Sequence, residues 1–508
     1  IFKYEDKNRW IREDIESKIL ATDASEKDLF GSFVDKDGDY IIVGAPYEDN
    51  AAGADAGAAY VYHWDGMNWI EQQKLVALDG AVEDYFGYSV GISGDYAVIG
   101  ACWDDDAADK SGSAYIFKRT GSHWAQQAKL TANDAGADNR FGISATIDGE
   151  YVLVGAFFDD DFGTRSGSAY IFKRNGTTWT QQARLLASDG AANDWFGVSL
   201  ALDGEYAAVG SRYHDQGAVS DAGAVYIYKR SGTIWSEQQK LVAGDGAAAD
   251  LFHECSIAGP WLAIGAYQSD SKAKNAGAVY LFHRDGEVWS ERQKILADDG
   301  AEGDLFGART SLDENGLIVG AYLDDDNGKD SGSLYVFRYD GSQWLQETKI
   351  IAGDGATEDW FGLPVVHDAG WIVAGARQND EKGANSGAIY IYRYLNPTTV
   401  IEEKERCLPS SCRLQQNYPN PFNPQTTIRY QLSDPAEAIL TIYNGRGRTV
   451  AVLDQGRQAQ GEHTVVWRGL DDRGQPVSSG LYLYRLEVRP TATDDPLFMD
   501  MKKMIFLK

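Results

Sequence analysis

The residues best suited to chemistry are carboxylates in runs. Three consecutive aspartates stand at Asp104 to Asp106, at Asp159 to Asp161 and at Asp324 to Asp326, each run followed by a glycine- and serine-rich turn, as in "GAFFDDDFGTRSGSAYIF" from Gly155. Neighbouring carboxylates repel by roughly 1 kcal/mol per pair at 4 Å even in water-like surroundings. A chain that repeats such a run must supply a counter-charge or hydrogen bonds. Calcium takes about six to eight oxygens, which clustered carboxylates and turn carbonyls can provide, although the spacing is not that of an EF-hand. The expected metal ligands are Asp104, Asp106, Asp159, Asp161, Asp324 and Asp326, with Ca2+ as the cofactor. The alternatives are turn capping and plain surface acidity.

A second acidic series is spaced by five: Asp23 and Asp28, Asp79 and Asp84, Asp189 and Asp194, Asp245 and Asp250, Asp299 and Asp304, Asp354 and Asp359. In the remaining copy Asp134 meets Asn139. Aspartates beside turns accept hydrogen bonds from nearby backbone N–H groups, so this series is expected to cap its turns. The seven histidines, at 63, 123, 214, 253, 283, 367 and 463, show no zinc or triad spacing. A glycosidase needs two acids facing one bond. Acids that recur once per repeat are accounted for by the repetition itself, and no catalytic residue is expected.

The elements that must position these residues are repeats. Phe recurs at 30, 86, 141, 196, 252, 306 and 361, followed by glycine except at His253, where a local packing variation is expected. Fourteen residues after each Phe stands a glycine, from Gly44 to Gly375, and a tyrosine (60 to 390) and a tryptophan (10 to 344) recur in step. Each repeat reads as four short strands separated by Asp-Gly and Asn-Gly turns, the signature of hairpins. Seven such repeats predict an all-β chain: a seven-bladed β-propeller over residues 1–395. The tryptophan strand comes first and the last repeat stops after its tyrosine strand. Residues 1–20 are therefore expected to pair with residues 363–394 and close the last blade, covering edges otherwise open to aggregation. Strand parity puts both Asp-rich loop families on one face of the disc.

A polar linker over 396–413 holds Cys407 and Cys412, whose disulfide would close a short loop; two free thiols are the alternative. Alternating segments in 414–508 predict a small Ig-like β-sandwich. The net charge of −29 argues against nucleic acid or an anionic membrane surface as partner. No apolar run reaches the length of a membrane span, and the start at Ile1 suggests that a targeting segment was removed or the chain trimmed.

The Phe-Gly and Gly-Ala markers together resemble the FG-GAP repeats of integrin α-subunit propellers and their bacterial relatives. In that family a D-x-D-x-D-G calcium loop lies between the Phe-Gly strand and the Gly-Ala-Pro strand. Here only a tight turn joins them, as in "FVDKDGDYIIVG" from Phe33, so that site does not transfer by position. The C-terminal segments "NYPNPFNP" (417–424), "IYNGRGRTV" (442–450), "GLYLYRLEV" (480–488) and "KKMIFLK" (502–508) resemble the type A sorting domain of the type IX secretion system. That resemblance implies export to the cell surface or medium after removal of a signal peptide. The expected function is a non-catalytic, adhesin-like propeller that binds a protein or glycan through its Asp-rich face. The alternative is a self-associating subunit of an extracellular filament or surface layer, and a secreted carbohydrate-active enzyme ranks below both.

Overall fold

The computed structural model describes residues 16–313, 316–393, 413–432, 435–444, 449–472, 474–489 and 498–507. The chain divides into two compact units, 1–394 and 395–508. Trp10, the Cys407–Cys412 pair and the 396–412 part of the linker lie outside the described residues.

The first unit holds seven four-stranded antiparallel sheets, each a meander in chain order except the last. Blade 2 is typical: Phe86–Ser93, Tyr96–Ala101, Ser113–Thr120 and His123–Leu130 run from the axis outward. The second strand is buried along its whole length, and the outermost buries only its tryptophan and its last leucine. That gradient explains why inner strands read as continuous apolar runs and outer ones as alternating sequence. Blade 7 joins Phe361–Asp368, Trp371–Ala376 and Ala388–Arg393 to Glu16–Ile19, with Lys18 opposite Tyr390. The N-terminal strand thus closes the ring.

The two glycine markers are where adjacent blades touch. A Cβ on Gly100 would lie 1.9 Å from the carbonyl oxygen of Gly142 in the next blade, and one on Gly375 would lie 2.1 Å from that of Gly31, across the closure. Only glycine permits that approach. The Phe-Gly glycine needs its freedom for a second reason, a left-handed backbone such as φ +92° at Gly142. His253 replaces it without entering that region, and its ring closes onto the Leu251 carbonyl at 2.7 Å. Each Phe meets the tyrosine of its blade edge-on, Phe86 and Tyr115 at 5.4 Å between centroids. At the opposite end of the disc, the turn aspartate of one blade accepts from the turn glycine of the next: Gly204 N–H to Asp148 at 2.8 Å, Gly259 to Asp203 at 2.7 Å, and Gly38 to Asp368 at 3.0 Å.

The second unit packs a three-stranded sheet and a four-stranded sheet as an Ig-like β-sandwich. Its core gathers Phe422, Trp467 and Phe506. Phe422 lies 5.5 Å from Trp467 and 4.9 Å from Phe506, so the Pro-rich segment and the terminal strand Phe498–Phe506 share one core. Strand Thr449–Gln458 is longer than its mixed sequence suggests; it pairs along Ala436–Asn444 with two register shifts.

Candidate ligand-binding face

The aspartate runs resolve into two jobs. The first and third residues of each run converge on one cation from the outer strand of the same blade. Lys349 Nζ lies 2.8 Å from Asp299, 2.7 Å from Asp324 and 2.6 Å from Asp326. Lys129 joins Asp79, Asp104 and Asp106 in the same way, and Arg184 joins Asp134, Asp159 and Asp161. The middle residue caps the turn: Asp105, Asp160 and Asp325 accept from the N–H of Lys110, Arg165 and Asp330. All six expected metal ligands are therefore brought together in pairs, each around a lysine or arginine. Among the described residues no group of three or more His, Cys, Asp or Glu is arranged to hold a metal ion.

The same positions recur in every blade with changing residues. The buried one, four residues after the Gly-Ala glycine, is occupied in turn by Glu48, Asp104, Asp159, His214, Ser269, Asp324 and Asn379. The tyrosine hydroxyl donates to the cluster, as Tyr335 does to Asp299 at 2.8 Å and Asp324 at 2.9 Å. Burial alone would raise the Asp299 carboxyl, but Lys349 and Tyr335 hold it below its usual value. Burial likewise works against the charge on Lys349, and its carboxylate partners more than compensate, raising its pKa. In blade 4 Lys240 Nζ lies 2.6 Å from His214 Nε2 and 2.7 Å from Asp189. In blade 7 the cation is Lys18 of the N-terminal strand, 2.8 Å from both Asp354 and Glu381.

The second member of each five-spaced pair caps its own turn. Asp84 accepts from Ala81 N–H at 2.7 Å and Asp304 from Ala301 N–H at 2.7 Å. Burial pushes the Asp84 carboxyl up to about 6, against the pull of the Ala81 N–H. An unfolded aspartate titrates near 3.8, so the folded state holds the extra proton between these values. This contribution to stability is complete below the unfolded value and is lost as pH rises through about 6. Asp84→Asn, which copies Asn139 in blade 3, should therefore melt above the native protein at neutral pH and approach it near pH 4. The expected gain is about 1 kcal/mol, reduced because an amide accepts the Ala81 N–H less strongly than a carboxylate. Thermal melts across the pH range read the difference directly.

The loops that carry these aspartates also carry rings, a feature that the acidic pattern hid. Tyr85, Arg140, Trp195 and Trp360 each precede a repeat Phe and sit at φ between +54° and +58°. Leu29, Leu251 and Leu305 take the same left-handed backbone, so the repeat imposes it. Tyr85 packs on Trp103 at 4.7 Å; Arg140 then bridges Trp103 and Phe158 at 4.9 and 4.6 Å. Trp195 packs on Tyr213 at 4.7 Å, and Arg212 links Tyr213 to Tyr267 at 5.3 and 5.4 Å. Tyr322 meets Trp360 at 5.5 Å and Arg377 covers Trp360 at 4.9 Å. Inside this girdle the inner strands of all seven blades enclose a cavity of about 910 Å³, into which Arg212, Arg309 and Arg377 also reach. A readable signal existed: the residue before each Phe and the second and third residues after each Gly-Ala glycine.

The pattern of the FG-GAP repeat matches seven segments, residues 14–62, 69–117, 124–172, 179–228, 235–282, 289–337 and 344–392. That of the FlgD Ig-like domain matches residues 422–492. No curated protein matches the chain. Among solved structures the chain is similar to PorZ, described as an essential bacterial surface component of the type-IX secretion system of Porphyromonas gingivalis, with a TM-score of 0.42 and 13% identity over 96% of this chain. The chain spans 61% of the length of that protein's chain.

Proposed function

The chain belongs to the FG-GAP repeat family, and from that membership we propose that it is a non-catalytic binding propeller displayed outside the cell. The observation that carries this reading is the girdle of half-buried rings on one face, which offers contact area on a rigid ring of strands. The first and third carboxylates of each run are occupied by cations of their own blades, and the middle one caps its turn. Ligand recognition is therefore assigned to the rings and arginines of the loop face. The same occupancy removes the paired acids that a glycosidase would need.

Export is assigned to the C-terminal unit, read as a type IX sorting domain. In its favour, the "NYPNPFNP" segment and the terminal strand, two of the motifs behind that reading, meet at Phe422 and Phe506. Among the described residues there is no helix long and apolar enough to cross a membrane.

The test is the labelled full chain on an array of glycans and extracellular proteins, beside Trp195→Ala and Trp360→Ala. Binding lost in both variants supports the face assignment; binding that survives both sinks it. Turnover of any arrayed oligosaccharide would overturn the non-catalytic reading. Light scattering on the same sample decides the alternative: a mass near 55.7 kDa opposes a filament subunit, and large assemblies would favour one.

A further inference from the structure

The mouth of the central cavity is basic inside a chain of net charge −29. Arg309 is matched by Glu254 at 3.0 Å. Among the described residues Arg212 and Arg377 form no close ion pair: Arg212 donates to the Tyr267 hydroxyl and acts on Glu254 only at longer range, and Arg377 lies on Trp360. The three guanidiniums line the same cavity as Tyr322 and His253; all three act on the Tyr322 phenol and two of them on His253. Burial and these arginines push His253 down to about 3, leaving the ring neutral and adding no competing charge. Burial also lowers Arg377 from its ordinary value, the mark of a cation held away from water without a matching anion.

The surroundings narrow what would fit. A guanidinium stacked on a ring keeps its N–H edge free, and that edge matches a carboxylate in two parallel hydrogen bonds. Half-buried Trp195 and Tyr322 line the cavity beside the arginines, Trp195 with one face stacked on Phe157, and half-buried Trp360 lies next to Tyr322 with one face under Arg377. The C–H faces of a pyranose pack against such rings. A densely charged polyanion would be strongly repelled by the rest of the molecule, and one carboxylate per sugar ring is repelled less.

We propose that the cavity mouth binds a uronic acid residue of an acidic glycan, with Arg377 and Arg212 holding its carboxylate and the neighbouring rings holding its pyranose. This rests on the reading of the loop face as the binding face and names the ligand class for it.

The experiment is calorimetric titration of the full chain with trigalacturonate, with neutral galactotriose and with a triaspartate peptide. Trigalacturonate should bind, weakening with salt, and the other two should bind at least about tenfold more weakly. Arg377→Gln and Arg212→Gln should each cost about tenfold or more in affinity while the chain still melts cooperatively, and Arg377→Lys should fall between. No heat with trigalacturonate overturns the proposal. Equal affinity for galactotriose or for triaspartate overturns the ligand class, the latter in favour of an acidic peptide. Trigalacturonate binding that survives both glutamine variants overturns the site. If array ligands of other chemistry are lost in Trp195→Ala and Trp360→Ala, the binding reading stands and this inference alone falls.

Discussion

Lys349→Met should destabilise the protein by about 3 kcal/mol, the scale of leaving a buried charge without its partner. Lys349 holds Asp299, Asp324 and Asp326 together, and the Asp324 side chain is only 3% exposed. Without the ammonium, these carboxylates repel across a few ångströms in a poorly solvated pocket. Their protonation then becomes favourable in the folded state, so the variant's deficit should shrink as the pH falls. Blade 5 supplies an internal comparison. There Ser269 replaces the buried acid and, among the described residues, Lys294 forms an ion pair with Asp245 alone, at 2.7 Å, so Lys294→Met should cost under about 1 kcal/mol. Adding Asp324→Asn to Lys349→Met should recover part of the loss, the non-additivity of a shared network. Calcium bears on the same cluster: millimolar calcium should raise the melting temperature of Lys349→Met and leave that of the native protein in place. Chelator-sensitive melting of the native protein would show that lysine is not the only counter-charge at these runs.

Removing residues 1–20 should abolish cooperative melting and drive association. The deletion takes away the outer strand of blade 7, whose four residues pair with Ala388–Arg393, and with it the only cation contacting Asp354 and Glu381 among the described residues. Ile389 and Ile391 belong to the core that Ile19 helps to cover. The edge of a central strand would then be exposed, a template for pairing between chains. Lys18→Met keeps the strand and should cost about 1 kcal/mol, because its acid partners are about half exposed. Light scattering separates the outcomes. A monomeric truncated chain with native melting would mean that the ring holds on six complete blades.

The ring was legible because its markers are set by sterics. The Gly-Ala glycine admits no Cβ beside the next blade's carbonyl, and the Phe-Gly glycine needs a left-handed backbone, so both recur in nearly every repeat. The acidic loops were legible as a place, not as a chemistry. Their counter-charge stands five residues after the tryptophan marker, at Lys74, Lys129, Arg184, Lys240, Lys294 and Lys349, about twenty-five residues from the buried acid. Nothing local in "DDD" points to a partner that far along the chain. Blade 7 breaks even that spacing, since Lys18 comes from the opposite end of the unit. The girdle of rings escaped for a different reason. Its members occupy fixed repeat positions, but their identities change from Leu29 to Tyr85 to Arg140 to Trp195 and back to Leu251, so no single residue type marks the position. Positions that keep their backbone and vary their side chain are where a repeat protein can acquire specificity.

The closure has a mechanical corollary. The chain leaves the propeller from Ala388–Arg393, a strand hydrogen-bonded on both sides, to Trp371–Ala376 and to Glu16–Ile19. Tension arriving from the C-terminal unit therefore loads two ladders in parallel, and the strand must be dragged past both neighbours at once. Peeling would need a free outer edge, and that edge belongs to the opposite terminus. A domain tethered through its C-terminus and pulled by a captured ligand would thus resist in shear, its strongest direction, with the first residues of the fold acting as a clamp on the last.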